Sequence, residues 1–361
     1  MSPKSDRYMS KEYAAPMVRA STLPFREECL RHGADYVFTE EVIDKKILSS
    51  HGTTLDDGTV LWETATGFRT LHFRPDRRES TILQIGTADG VLASKAALSV
   101  LEYVSEVNVN MGCPKSFSVN GGMGAALLSD PVLACDIVKT LRSSLPSEFP
   151  LTCKIRYIGD ISNPDDIIKR TSEFIKGLES SGADAVTVHM RTVPMRPREP
   201  AVWCPVFAHL VEQSSVPLIA NGDFFNRGQI DLFRNKHSNW SNSVMIARGA
   251  IHNPSIFSHE QVPGETVVED FFNTCVKYKE PKQSVKWILA QMMDGFTQYN
   301  GMPVKKVRDR IHQAKGMSDM KAAISLRLDA VEAVDMDTPN DTVDPSDMQQ
   351  PVKTISKKVK Y

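Results

Sequence analysis

The feature that most constrains this chain is a repeated alternation. Eight short apolar segments recur at 13–18 (YAAPMV), 36–40 (YVFTE), 81–86 (TILQIG), 106–112 (EVNVNMG), 151–156 (LTCKIR), 185–190 (AVTVHM), 217–222 (PLIANG) and 243–248 (SVMIAR). Each is too short for a buried helix and reads as a strand. The gaps suit amphipathic helices, as at 89–104 and at 165–181, where Ile168, Phe174, Ile175 and Leu178 keep helical spacing. Eight strands with intervening helices make the count of a (β/α)8 TIM barrel. A doubly wound sheet is the alternative. The barrel is favoured because polar residues close nearly every strand: Glu40-Glu41, Gln84, Cys113, Lys154, His189, Asn221 and Arg248. In a barrel those strand ends converge on one mouth, where active sites form.

Between the second and third strands, 56–78 has two alternating halves around ATG, which predicts a β-hairpin excursion. After residue 258 the pattern turns helical, at 268–278, 282–298, 303–314 and 318–333. The expected organisation is an α/β barrel over 1–258, a smaller all-helical domain over 259–333, and a disordered tail over 334–361, first acidic and then basic. No run of about 18 apolar residues predicts a membrane span. The N-terminus has neither a secretory nor a transit-peptide pattern. The six cysteines form no CxxC pair and no Cys/His cluster with zinc spacing. They read as reduced thiols of a cytoplasmic or nuclear protein, with no metal and no disulfide framework; a monomer is expected.

The strand ends suggest a phosphate site. The seventh strand ends in Ala220-Asn221-Gly222-Asp223 and the eighth in Ala247-Arg248-Gly249-Ala250. Barrels often bind phosphate after these two strands, with backbone N–H groups as donors. Lys154 lies within an apolar strand, a rare place for a lysine that is neither paired nor functional. It could stabilise an anion, and His189 could donate a hydrogen bond to the same ligand. Gln84 can read the imide edge of a flat heterocycle, and Ala15-Pro16-Met17 offers backbone polar groups and an apolar floor. Together these suit a flat phosphorylated cofactor such as FMN.

The fourth segment raises a separate question, because VNVNMGCPK places a thiol where a strand stops. Gly112 and Pro114 force a turn that would present Cys113 to the mouth. Asn108 and Asn110 share one strand face, since side chains alternate with period two. Asn110 can hydrogen-bond a substrate edge. A thiol with its usual pKa near about 8.5 is mostly protonated at neutral pH, so it can act as a general acid as well as a nucleophile.

These residues resemble the tRNA-dihydrouridine synthases. The resemblance covers about residues 13–330 and rests on APMVRASTLPFR, YVFTEEVID, LQIG, NVNMGCPK with NGGMGAALL, CKIR, VHMRT, IANGD and IARGA. The wording is most similar to the eukaryotic type-2 branch, which acts on the D-loop uridine at position 20. The resemblance implies FMN in the barrel mouth and NADPH (or NADH) as hydride donor. It implies that Ala15, Pro16, Met17, Glu41, Gln84, Lys154, His189, Asn221, Gly222, Asp223, Ala247 and Arg248 hold FMN. Cys113 would be the catalytic acid, with Asn110 and Arg191 near the uracil. Animal type-2 enzymes carry a double-stranded-RNA-binding domain after the helical domain; its lack of room after 334 suggests a shorter, fungal-like form.

The chain's net charge of -1 gives no global sign of a polyanion partner, so tRNA must meet a local patch. Residues 277–327 hold eleven Lys or Arg and four acids, a net of +7. Helical spacing places Lys305 with Arg308 and Lys306 with Arg310, a stripe that can track phosphates. Arg191, Arg196 and Arg198 extend positive charge over the mouth. Two other readings stand beside a tRNA reductase: a non-catalytic RNA-binding protein on a flavoenzyme scaffold, and a flavin reductase of a small molecule. Intact Cys113, Lys154 and His189 weigh against the first, and the basic helical region against the second.

Overall fold

The computed structural model describes residues 7–203, 205–236, 242–260 and 262–325. The strands in chain order are β1 (Glu12–Ala14), β2 (Tyr36–Ile43), β3 (Ser50–Thr54), β4 (Val60–Thr64), β5 (Arg69–Phe73), β6 (Thr81–Gly86), β7 (Glu106–Asn110), β8 (Leu151–Tyr157), β9 (Ala185–Thr192), β10 (Leu218–Asn221), β11 (Val244–Ile246), β12 (Gln298–Tyr299) and β13 (Met302–Pro303). Eight of them close a parallel barrel in the order β1-β11-β10-β9-β8-β7-β6-β2. The eight expected strands are all present, so the TIM-barrel reading holds and the doubly wound sheet falls away. Alternation along the strands divides the core. Tyr13, Phe38, Ile82, Ile219 and Met245 belong to one cluster, with Tyr8, that fills the barrel. Their neighbours Ala14, Val37, Leu83, Leu218 and Ile246 belong to the larger core shared with the helices.

The second strand runs past its expected end at residue 40, with a register shift between Phe38 and Glu41. Glu40 and Glu41 therefore serve different surroundings. The charges around Glu40 include Arg26 and Glu280, and burial first, then Glu280, pushes its carboxyl up to about 7. Glu41 faces Cys113 and Lys154. The expected helix 89–104 is a helix over Gly90–Ser99 followed by a 3-10 turn at Leu101–Tyr103. The helix expected at 165–181 spans Pro164–Ser180.

The expected hairpin is β4 with β5, and β3 adds a third antiparallel strand. Its sequence, SHGTT, is mostly exposed, so no apolar alternation announces it.

The region after 258 is not purely helical, which corrects the all-helical expectation. Helices Gly264–Lys277, Lys282–Met292, Val304–Gln313 and Met317–Ser325 are interrupted by an antiparallel ribbon of β12 and β13. The turn between them is Asn300-Gly301, at φ 48° and 74°. Asn-Gly suits a turn with two left-handed residues and is itself a hairpin signal. The expected helix at 318–333 is described only to Ser325; residues 326–333 and the tail lie outside the described residues.

Polar contacts join this region to the helix Leu23–Arg31 and to the β3-β4-β5 sheet. Thr274 Oγ1 donates to buried Glu28 at 2.5 Å, and Arg69 pairs with buried Glu280 at 3.1 Å. Among the described residues, no helix is long and apolar enough to cross a membrane, and no group of three or more His, Cys, Asp and Glu could hold a metal ion.

Candidate active site

The C-terminal ends of the barrel strands bring most of the expected residues together in two groups; Met17 lies in neither, packed against the core with its amide donating to Ser21 Oγ at 3.0 Å. A cavity of about 220 Å³ is lined by Ala15, Pro16, Lys154, His189, Asn221, Gly222, Asp223, Ala247 and Arg248, with Arg156 and Arg191. Four cations thus face one carboxylate. Arg191 Nη2 donates to both Asp223 oxygens at 2.7 and 2.6 Å, and Arg248 Nη2 donates to Oδ1 at 2.6 Å. The Ala201 amide also donates to Asp223, at 2.6 Å. Asp223 holds φ 54°, a left-handed conformation that an aspartate tolerates better than most side chains. Gly249 is required by close approach: a Cβ there would lie 2.2 Å from the Phe224 carbonyl oxygen. The loops after β10 and β11 are therefore locked together backbone to backbone.

Burial and like charge reshape the titration of this group. Burial first, then the Arg156 charge, brings Lys154 down to about 7. Burial and then Arg191 bring Arg156 down to about 10. His189 is driven well below its ordinary range by burial and then by Lys154, Arg156, Arg191 and Arg248, so it is neutral. Arg191 Nη1 lies 3.2 Å from His189 Nε2. A guanidinium can only donate, so Nε2 accepts and the ring proton sits on Nδ1. Lys154 makes no ion pair among the described residues, so the internal salt bridge that could explain it is not formed.

The second group is a hydrogen-bonded file that starts from the Arg7–Glu106 ion pair. Along β7, Glu106, Asn108 and Asn110 turn inward at period two, and a chain of bonds climbs through them. Arg7 Nε and Tyr8 OH donate to Glu106, each at 3.2 Å. Thr152 Oγ1 donates to Glu106 at 2.6 Å, and Asn108 Nδ2 donates to Thr152 at 2.8 Å. Gln84 Nε2 donates to Asn108 at 2.8 Å, and Asn110 Nδ2 donates to Gln84 at 3.1 Å. At the top, Asn110 Oδ1 accepts the amides of Gly112 and Cys113 at 2.9 and 3.0 Å. Asn110 therefore fastens the turn that carries the thiol. Gln84 and Asn110 each keep one side-chain N–H beyond these bonds.

Cys113 is partly buried beside the Glu41 carboxyl. Burial first, then the Glu41 charge, pushes the thiol pKa up. Burial also raises Glu41, against the pull of Cys113 and Lys154. The sulfur therefore keeps its proton at neutral pH, as a general acid requires.

Three placements differ from the sequence reading. Arg191 is buried and tied to Asp223, with further bonds to the Glu199 and Pro197 carbonyls; its guanidinium thus belongs with the charged group. Arg308 pairs with Asp294, whereas Lys305 and Lys306 are exposed. The full charge stripe is thus less free than spacing alone predicts. Arg156 escaped the sequence reading. Its Nε donates to the Gly112 carbonyl at 2.8 Å, clamping the thiol turn from β8. Its signal was present: in LTCKIR, Lys154 and Arg156 share a face at period two.

The mouth of this parallel barrel thus holds a cationic cavity suited to an anion, with a protonated thiol on the turn after β7. A family profile described as Dihydrouridine synthase (Dus) matches residues 13–353, and the chain belongs to that family. It is 35% identical over 314 residues to the tRNA-dihydrouridine(20) synthase [NAD(P)+] of Saccharomyces cerevisiae, covering 81% of this chain and 80% of that protein. It is 32% identical over 333 residues to the tRNA-dihydrouridine(20) synthase [NAD(P)+] of Schizosaccharomyces pombe, covering 88% of this chain and 66% of that protein. The tRNA-dihydrouridine(20a/20b) synthase [NAD(P)+] of Schizosaccharomyces pombe is 32% identical over 252 residues, covering 69% of each.

Proposed function

We propose that this chain reduces the C5–C6 double bond of a D-loop uridine of tRNA, at position 20, using FMN and NADPH (or NADH), with Cys113 as general acid. The observation that carries the reading is the mouth itself: a cavity lined by Lys154, Arg156, Arg191 and Arg248 with Asp223 as its one lining carboxylate, next to a thiol held protonated. The names of the two 20-specific relatives support the substrate and the nicotinamide donor.

The donor set fits FMN. The cationic loops after β10 and β11 suit its phosphate; Lys154 and the His189 Nδ1–H suit the electron-rich ring; the spare N–H of Gln84 suits the imide edge. When bound, FMN supplies the hydride that uracil C6 receives. The chain's own residues supply the rest. Asn110 and Arg156 hold the Cys113 turn from two sides, Cys113 Sγ holds the proton destined for C5, and the spare N–H of Asn110 is available to the uracil. Residues 1–258 form the catalytic domain and 259–333 the tRNA-binding domain, where exposed Lys305 and Lys306 meet phosphates and Arg308 joins them on release from Asp294.

Cofactor content tests this reading. Denaturing the purified protein, after loading with excess FMN if needed, should release about one FMN per chain. Protein that neither carries nor takes up flavin contradicts the proposal.

A further inference from the structure

The helix immediately after the catalytic turn is built inside out. Over Ser116–Asn120 the one buried side chain is Ser118, while Phe117 and Val119 point to solvent, 52% and 39% exposed. Apolar residues on a short helix normally face the core and the hydroxyl faces water. Here the buried Ser118 hydroxyl faces the Cys113 thiol, whose pKa it acts to lower as a hydrogen-bond partner, without a well-aligned bond to any other group.

The helix is nonetheless held firmly to the thiol. The Met123 amide donates to the Ser118 carbonyl at 2.9 Å, and the Ala125 amide donates to the Cys113 carbonyl at 2.9 Å. Gly124, at φ 58°, makes this closure possible, since a Cβ there would lie 2.7 Å from the Cys113 carbonyl oxygen. Turning Ser118 inward to the thiol turns the phenyl ring outward and fixes its place four residues from Cys113. The other large exposed aromatic among the described residues, Phe225, is already covered by the Arg248 guanidinium, 4.8 Å from the ring centroid, and by His252. Phe117 has no ring or cation contact among the described residues. Lys115, two residues earlier, is exposed beside it.

An uncovered aromatic face beside a lysine, at the rim of a mouth that takes one base from an RNA, suits a second base. We infer that Phe117 is a substrate-positioning residue whose ring stacks on a base neighbouring the target uracil. The inference rests on the tRNA-reductase reading. Taking a base out of its stack uncovers its neighbours, and an aromatic ring can replace the lost stacking on any base.

The test compares wild type with Phe117→Ala and Phe117→Trp on unmodified tRNA, measuring KM, kcat, RNA affinity and RNA-free reduction of the bound flavin by NADPH. Phe117→Ala should lower kcat/KM for tRNA by about tenfold or more, chiefly through KM, in line with the worth of one base–aromatic stack. Phe117→Trp should retain most of the activity. Flavin reduction without RNA and thermal stability should stay at wild-type values in both, because the ring is exposed. Wild-type kcat/KM in Phe117→Ala, or equal losses in the Ala and Trp variants, overturns the stacking role alone. A flavin-loaded wild type that neither binds nor reduces tRNA overturns the underlying reading and this inference with it.

Discussion

The two sides of the barrel mouth solve opposite problems. At β10 and β11 the chain gathers charge: Arg191 and Arg248 close on Asp223, and burial, then cationic neighbours, bring Lys154 down to about 7 and keep His189 neutral. At β6 and β7 it confines charge to the bottom: above the Arg7–Glu106 ion pair a file of amides and a hydroxyl runs to the Cys113 amide, and the thiol keeps its proton. One side is suited to holding an anion, the other to aiming a proton. Anchoring and chemistry should therefore fail separately when each side is broken.

The largest separation is expected from Cys113→Ala. Losing a positioned acid should lower turnover on tRNA by about 10²–10⁴-fold, while FMN retention stays near wild type; single-turnover kinetics and flavin content read the two effects. Arg248→Ala should do the reverse. Loss of a charge-assisted contact of about 1.5–3 kcal/mol should weaken FMN binding by roughly 10- to 150-fold, with near-normal turnover once FMN is saturating. Asn110→Ala leaves the Gly112 and Cys113 amides without their acceptor. It should reduce kcat by roughly tenfold at unchanged FMN affinity, and lower stability by about 1–3 kcal/mol.

A pH titration sharpens the contrast further. Lys154 in the empty site is brought down to about 7, so it is charged below that pH and neutral above it. Its attraction for an anion is thus fully present below pH 7 and must be bought back by protonation above it. FMN affinity of the cofactor-free protein should fall above pH 7, by at most about tenfold per pH unit, and Lys154→Met should flatten the profile. The smallest effect belongs far from the mouth. Lys305→Glu should raise KM for tRNA a few-fold at low salt, and the difference should shrink as salt is added.

Much of this was legible in the sequence, because barrel strands carry period-two patterns and end in polar residues. That placed Cys113, Lys154, His189, Asn221 and Arg248 at one mouth. The pattern was weaker where surroundings decide. Arg191 and Asp223 each look like ligand contacts on their own, and only the folded loop shows that they bond to each other. Lys305 and Arg308 share a helix face by spacing, but spacing does not reveal that Asp294 reaches one of them. β3 was hidden because an exposed strand needs no apolar alternation. The β12–β13 ribbon and Arg156 are different: Asn300-Gly301 and the Lys154/Arg156 spacing were both readable.

The most direct test of the account is position-resolved detection of dihydrouridine in unmodified tRNA, after incubation with NADPH and the flavin-loaded wild-type protein. The account predicts dihydrouridine in the D-loop at position 20. Flavin-loaded protein that is reduced by NADPH yet leaves every tRNA uridine unchanged would contradict it.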